Sequence, residues 1–194
     1  MTIEELEEEK KSNKKNTVKK EILSWIKAIV FAGIIAFFIN NFVLVNAKVP
    51  SGSMEPTIET NDRVIAFRFS YLFNEPRRFD IIVFNTPHSD YLYIKRIIGL
   101  PGEVIRIHAG FVYVDGIRLM DDTFAEELII GDFGPFYIGE EQFFVLGDHR
   151  NNSSDSRTWA IPFVERNDIV GRAAFKYFRG FEIFERKNWD IKSR

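Results

Sequence analysis

The sequence predicts a mainly β body, an antiparallel sheet or partly open barrel, preceded by one transmembrane α-helix. Three observations predict it. A single apolar run over residues 22–45, ILSWIKAIVFAGIIAFFINNFVLV, is long enough to cross a bilayer. The remaining chain is filled with short runs of Val, Ile, Phe and Tyr separated by Gly, Pro, Asn and Asp. No stretch of that remainder sustains a helical period.

The elements follow in order. Residues 1–21 form a polar tail, a cluster of glutamates followed by Lys10, Lys11, Lys14, Lys15, Lys19 and Lys20, with too little apolar area to offset the entropy of ordering it. Residues 22–45 form the transmembrane helix. From Ala28 to Val45 it would span about 27 Å at 1.5 Å per residue, close to the hydrocarbon thickness. Lys27 can snorkel to the polar boundary, where Trp25 also sits. Asn40 and Asn41 are the weak point, because a carboxamide in hydrocarbon has no water to pair with. The run lacks a small-residue cleavage site, so it is expected to remain as an anchor rather than be removed. Six lysines precede it and only Lys48 follows closely, which puts the tail in the cytoplasm and the body outside the cell membrane.

Residues 46–194 form the β-rich body. Strands are expected at 63–69, 80–85, 91–98, 104–108, 111–114, 117–119, 143–146 and 169–178. Asp115-Gly116 between two alternating runs signals a two-residue hairpin. Residues 121–141 break the pattern and read as an inserted excursion or a long loop.

Composition excludes several functions. Of 194 residues, 45% are apolar and 28% charged, which excludes wholesale disorder. Lys and Arg number 26 against 28 Asp and Glu, so there is no basic excess for nucleic acid. Cysteine is absent, which removes thiol catalysis, disulfides and zinc–thiolate sites. Phe is over-represented at 20 residues, suiting an aromatic core or a lipid-facing surface such as 67–73.

Chemistry is expected where polar residues gather without a turn to explain them. Directly after the apolar run, V-P-S-G-S-M-E-P-T-I (49–58) presents Ser51 and Ser53 on a loop stiffened by Pro50 and Pro56. Gly52 between them leaves room for a substrate backbone. The second segment, Y-L-Y-I-K-R-I-I (91–98), puts Lys95 on one strand face with Tyr93 and Ile97, and Arg96 on the other with Ile94 and Ile98. If its face is covered, the Lys95 amine is desolvated and its pKa falls. Keeping an ordinary lysine neutral at pH 7 would cost about 4.6 kcal/mol, so only a buried one serves as a base. The third segment, G-D-H-R-N-N-S-S-D-S-R (147–157), reads as a loop tied by internal hydrogen bonds and an ion pair. These parts allow a Ser–Lys pair, or a Ser–His–Asp arrangement using His149, His88 or His108. Spacing does not choose between them.

The motifs P-S-G-S-M-E-P-T-I (50–58), Y-I-K-R-I-I-G-L-P-G-E (93–103) and G-D-H-R-N-N-S-S-D-S-R (147–157), in that order after a membrane span, resemble those of the bacterial type I signal peptidases. These are membrane-anchored serine proteases that remove signal peptides from exported preproteins. The resemblance implies that Ser53 is the nucleophile and Lys95 its general base. The Ser51 hydroxyl and the Ser53 N–H would form the oxyanion hole. Ser153 would orient the lysine amine, with Asp155 and Arg157 as a supporting pair. Val49, Ile58, Tyr93 and Ile94 match positions lining the pockets for small side chains at -1 and -3 of the substrate. It implies no metal or cofactor. Two positions depart from the family pattern: His149, where asparagine is commoner, and Asn151, where aspartate often stands. Ser53 lies eight residues beyond Val45, so an extended linker keeps the nucleophile within about 28 Å of the expected end of the span.

Overall fold

The computed structural model describes residues 3–86, 89–120 and 122–186, with side chains from residue 19 onward except that of Asp90; His88 and Asp121 lie outside the described residues. The chain divides into two compact units, at Val43 and Leu44.

The first unit is helical. A single helix, α1, runs over Ile3–Phe38 and closes in one wider π-helical turn over Ile39–Val43. It therefore continues back through the polar tail. The most apolar window within its stretch Lys19–Val43 has a mean hydropathy of 2.4, and none of that window is buried against protein, unlike the core helix of a soluble domain. The Asn41 carboxamide donates to the Phe37 carbonyl at 2.8 Å, so the helix itself satisfies part of a group that hydrocarbon would leave unpaired.

The end of the apolar run differs from the expectation. Leu44 and Val45 open strand β1 (Leu44–Lys48), whose burial alternates, with Val45 only 5% exposed. Aliphatic residues read alike as the last turn of a helix or the first residues of a strand, and here pairing with a neighbouring strand decides.

The second unit adds β2 (Arg63–Phe67), β3 (Ile81–Thr86), β4 (Ser89–Gly99), β5 (Val104–His108), β6 (Phe111–Val114) and β7 (Ile117–Arg118). After these come β8 (Phe133–Tyr137), β9 (Gln142–Leu146), β10 (Val164–Glu165), β11 (Ile169–Tyr177) and β12 (Glu182–Ile183). Every pairing is antiparallel. The large sheet has the order β1-β2-β11-β3-β4-β9-β10, with β12 on β11, and a second sheet has the order β7-β6-β5-β8. The edges β1 and β10 do not pair, so the large sheet is not closed into a barrel.

The central strands are buried on both faces, which explains their unbroken apolar runs. Ile81, Val83 and Ile94 join Val49, Met54 and Ile58 in one core, while Ile82, Phe84, Ile97, Phe143 and Val145 form another on the opposite face. A third core, with Ile105, Ile107, Val112 and Val114, packs the small sheet onto Ile98, Phe144 and Leu146. At the hairpin, Asp115 and Gly116 have φ of 51° and 81°, as a tight two-residue turn between Val114 and Ile117 requires.

Candidate active site

Lys95 stands in mid-sheet on β4, opposite Ile82 of β3, and its residue is only 5% exposed. Its amine donates to the Ser53 hydroxyl at 2.6 Å. Burial lowers the Lys95 pKa from 10.5 to about 8; the carboxylates of Asp155 and Asp148 act against this and the Arg157 guanidinium adds to it. The amine also lies 5.9 Å from the Tyr93 ring on the same face.

The nucleophile loop is held from below. Met54, next to Ser53, is fully buried in the core with Val49 and Ile58. The Ile58 N–H donates to the Met54 carbonyl, and the Val49 and Asn61 amides tie the loop's two ends together. From β11, Lys176 donates to the Thr57 carbonyl at 2.8 Å. The Ser53 N–H is taken up by no backbone carbonyl among the described residues, and Ser51 is exposed beside it.

The 147–157 loop closes over the other side. The His149 N–H donates to the Ser53 carbonyl at 3.2 Å. A Cβ on Gly147 would lie 2.3 Å from that same carbonyl oxygen and 2.3 Å from Ser153 Oγ, so only glycine permits this approach. Asp155 accepts from the Gly147 N–H at 3.1 Å and from Arg157 through both carboxylate oxygens, each at 2.8 Å.

The expected support pair Asp155–Arg157 is therefore assembled, and it is the ion pair internal to the loop. The loop's other charges are spent outside it. Asp148 takes a two-point contact from Arg96, at 2.8 and 2.6 Å, and a 2.6 Å bond from the Thr57 hydroxyl. Arg150, fully buried, donates to the Gly147 carbonyl at 3.0 Å and grips Asp122 of the excursion at 2.5 and 2.7 Å.

Ser153 stands apart from the expectation that it orients the amine. Its hydroxyl is buried and has no hydrogen-bond partner among the described residues, Lys95 included. Of the four pocket residues, Val49, Ile58 and Ile94 share one buried cluster. Tyr93 does not join them, because strand alternation turns it to the opposite face, against Phe84 and Trp159.

Neither described histidine is hydrogen-bonded to the Ser53 hydroxyl. His149 Nδ1 is 3.3 Å from the Gly52 carbonyl, with Glu55 at 3.8 Å and Glu127 at 4.0 Å from its ring nitrogens. His108 pairs with Asp132 on the exposed small sheet. His88 lies outside the described residues.

Reading residue by residue missed Arg96, Thr57 and Asp122 as parts of this framework. For Arg96 a signal existed: a cation on an apolar strand face must find a buried carboxylate. A cavity of about 280 Å³ lies behind this framework, lined by Thr57, Arg96, Phe124, Arg172 and Phe184 but by neither Ser53 nor Lys95. Among the described residues no cluster of His, Cys, Asp or Glu is arranged to hold a metal ion.

A hydroxyl and a dry amine at hydrogen-bond distance on an antiparallel β scaffold can perform nucleophilic acyl transfer. Comparison with known proteins puts the chain in a matching class, the serine-type endopeptidases. Residues 22–178 match the family model described as signal peptidase, peptidase S26. The chain belongs to this family. It is 38% identical over 187 residues to the probable signal peptidase I-2 of Synechocystis sp., covering 91% of this chain and 80% of that protein. It is 33% identical over 192 residues to signal peptidase I T of Bacillus subtilis, covering 93% and 99% respectively. A crystal structure of a signal peptidase I from Enterococcus faecalis aligns with a TM-score of 0.45 at 33% identity, over 51% of this chain and 97% of that one.

Proposed function

We propose that the protein removes N-terminal signal peptides from exported preproteins through a Ser53–Lys95 dyad, as a single-pass enzyme of the cell membrane. The observation that carries the reading is the buried Lys95 amine 2.6 Å from the Ser53 hydroxyl. With a pKa near 8, about one molecule in ten carries a neutral amine at pH 7, against fewer than one in about a thousand for a solvated lysine.

The neutral amine takes the Ser53 proton as Oγ bonds to the scissile carbonyl carbon. Negative charge on the carbonyl oxygen is met by the Ser53 N–H and the Ser51 hydroxyl. As the C–N bond breaks, the Lys95 ammonium returns the proton to the departing amine of the mature protein. Water then gives a proton to Lys95 and its hydroxide to the acyl carbon, Ser53 recovers its hydrogen, and the signal peptide leaves as a carboxylate. Asp155 and Arg157 keep the Gly147 turn closed over the pair. Ser153, beside Gly147 with its buried hydroxyl unspent, keeps a hydroxyl free on the loop that covers the pair.

Preference for small residues at -1 and -3 is supported by Val49, Ile58 and Ile94. They are buried and pack in one cluster with Met54, beside the nucleophile. The exposed apolar helix supports insertion in a lipid bilayer, and the lysine count supports a cytoplasmic N-terminus with the catalytic unit on the extracytoplasmic side. The charge balance supports no role in nucleic-acid binding.

The test is cleavage of a purified preprotein in detergent. Ser53→Ala and Lys95→Ala are each expected to abolish it, while His149→Asn leaves most of it. Loss in the histidine variant alone would overturn the assignment.

A further inference from the structure

The excursion over residues 122–132 is pinned to the catalytic loop more firmly than a surface loop requires. Asn151 does most of the pinning. Its N–H donates to Glu127 at 2.8 Å, its carboxamide nitrogen donates to the Leu128 carbonyl at 2.9 Å, and its carboxamide oxygen accepts from the Ile130 N–H at 2.9 Å. The Arg150–Asp122 contact adds a second fastening. An aspartate at 151 would have no hydrogen to give Leu128, so the staple belongs to this chain's departure from the family pattern.

What the staple holds in place is apolar and uncovered. Ile129 is buried in the core under the small sheet, while Leu128 and Ile130 on either side are 58% and 78% exposed. Asn151 and His149 connect them to the nucleophile loop. Asn151 is two residues from His149, whose N–H is bonded to the Ser53 carbonyl and whose ring is 4.0 Å from Glu127.

Resting on the signal-peptide reading above, we infer that Leu128 and Ile130 form a lip that the preprotein chain crosses as it runs past the cleaved bond. The occupant is polypeptide rather than lipid, for reasons of charge. Asp122 is neutralised by Arg150, but the same segment carries the exposed Glu126, Glu127 and Asp132 and no Lys or Arg, which repels anionic headgroups and suits a chain with apolar or cationic side chains. Both aliphatics are exposed, so trimming them leaves the core intact.

The experiment compares two substrates in detergent: a full preprotein, and a peptide cut to a few residues on each side of the scissile bond. In the double variant Leu128→Ser/Ile130→Ser, the ratio of kcat/KM for preprotein to that for peptide is expected to fall about tenfold, carried by KM. Asn151→Ala, which releases the lip without altering it, is expected to lower the same ratio, and Asn151→Asp to do so in part. An unchanged ratio would overturn the inference. So would an equal fall with both substrates, which would mean that the segment only positions the dyad. A loss seen with enzyme in anionic vesicles but not in detergent would point to lipid and overturn it too. Ser53→Ala, run alongside, tests the dyad separately, because its failure would show with the short peptide.

Discussion

Gly147→Ala is the sharpest structural perturbation available, because it adds one methyl group between the two loops that build the site. The new Cβ would lie 2.3 Å from the Ser53 carbonyl oxygen, 2.3 Å from Ser153 Oγ and 2.6 Å from Ser153 Cβ. Unstrained non-bonded contacts need about 3.5 Å, so the loops must part by about 1 Å. Gly147 is not among the residues with positive φ, so the penalty comes from contact rather than from backbone conformation. Part of the methyl's cost falls on stability, about 1–3 kcal/mol for an overpacked site. The rest falls on catalysis. Moving the Ser53 backbone by 1 Å against a Lys95 amine fixed in mid-sheet should lower kcat about a hundredfold. Steady-state cleavage of a preprotein, with a thermal unfolding curve recorded beside it, separates the two effects. A folded Gly147→Ala enzyme with undiminished kcat would refute the idea that this approach sets the dyad's geometry.

Three further outcomes follow from the same framework. Since the neutral amine is the base and its pKa is near 8, kcat/KM should rise about fivefold from pH 7 to pH 8 and level off above pH 9; a rise continuing to pH 10 would mean a solvated lysine. Lys95→Met should be inactive yet more stable. The folded-state pKa lies below the unfolded 10.5, so burying the charge costs up to about 3 kcal/mol below pH 8, and that cost disappears as pH rises from 8 past 10.5; denaturant titrations of both proteins at pH 7 and pH 10.5 should show the gap closing. Asp148→Ala leaves the Arg96 guanidinium buried without its carboxylate and should cost about 3–5 kcal/mol, most of which Arg96→Met recovers in the double variant.

Much of the body was legible because its strands are short and are separated by turn residues of definite chemistry. The Asp115-Gly116 hairpin is the clearest case. The elements that escaped each had a physical reason. β1 is continuous in hydrophobicity with the helix before it, so Leu44 and Val45 carry no local mark of their change of state. β8 reads F-G-P-F-Y, and proline and glycine inside a run argue against a strand unless an edge accepts them, as the edge of the small sheet does here. β10 and β12 have two residues each, too few for any period to show.

The site divides in the same way. Ser53 and Lys95 stood out through local motifs and the resemblance they carry, 42 residues apart. Their fastening did not. Arg96–Asp148 spans 52 residues and Arg150–Asp122 spans 28, and a long-range ion pair leaves no pattern in the sequence around either partner. The loop's aspartates and arginines invited pairing with one another. Only Asp155 and Arg157 do so, because Asp148 and Arg150 face partners on β4 and in the excursion.

Titration of the Lys95 amine itself, followed by nitrogen or side-chain carbon NMR on the folded enzyme labelled at lysine, measures the property on which catalysis is proposed to depend. A midpoint near 8 that coincides with the rise of kcat/KM is the expected result. A midpoint at the value of a free lysine, with cleavage already complete in its protonated form, would contradict it.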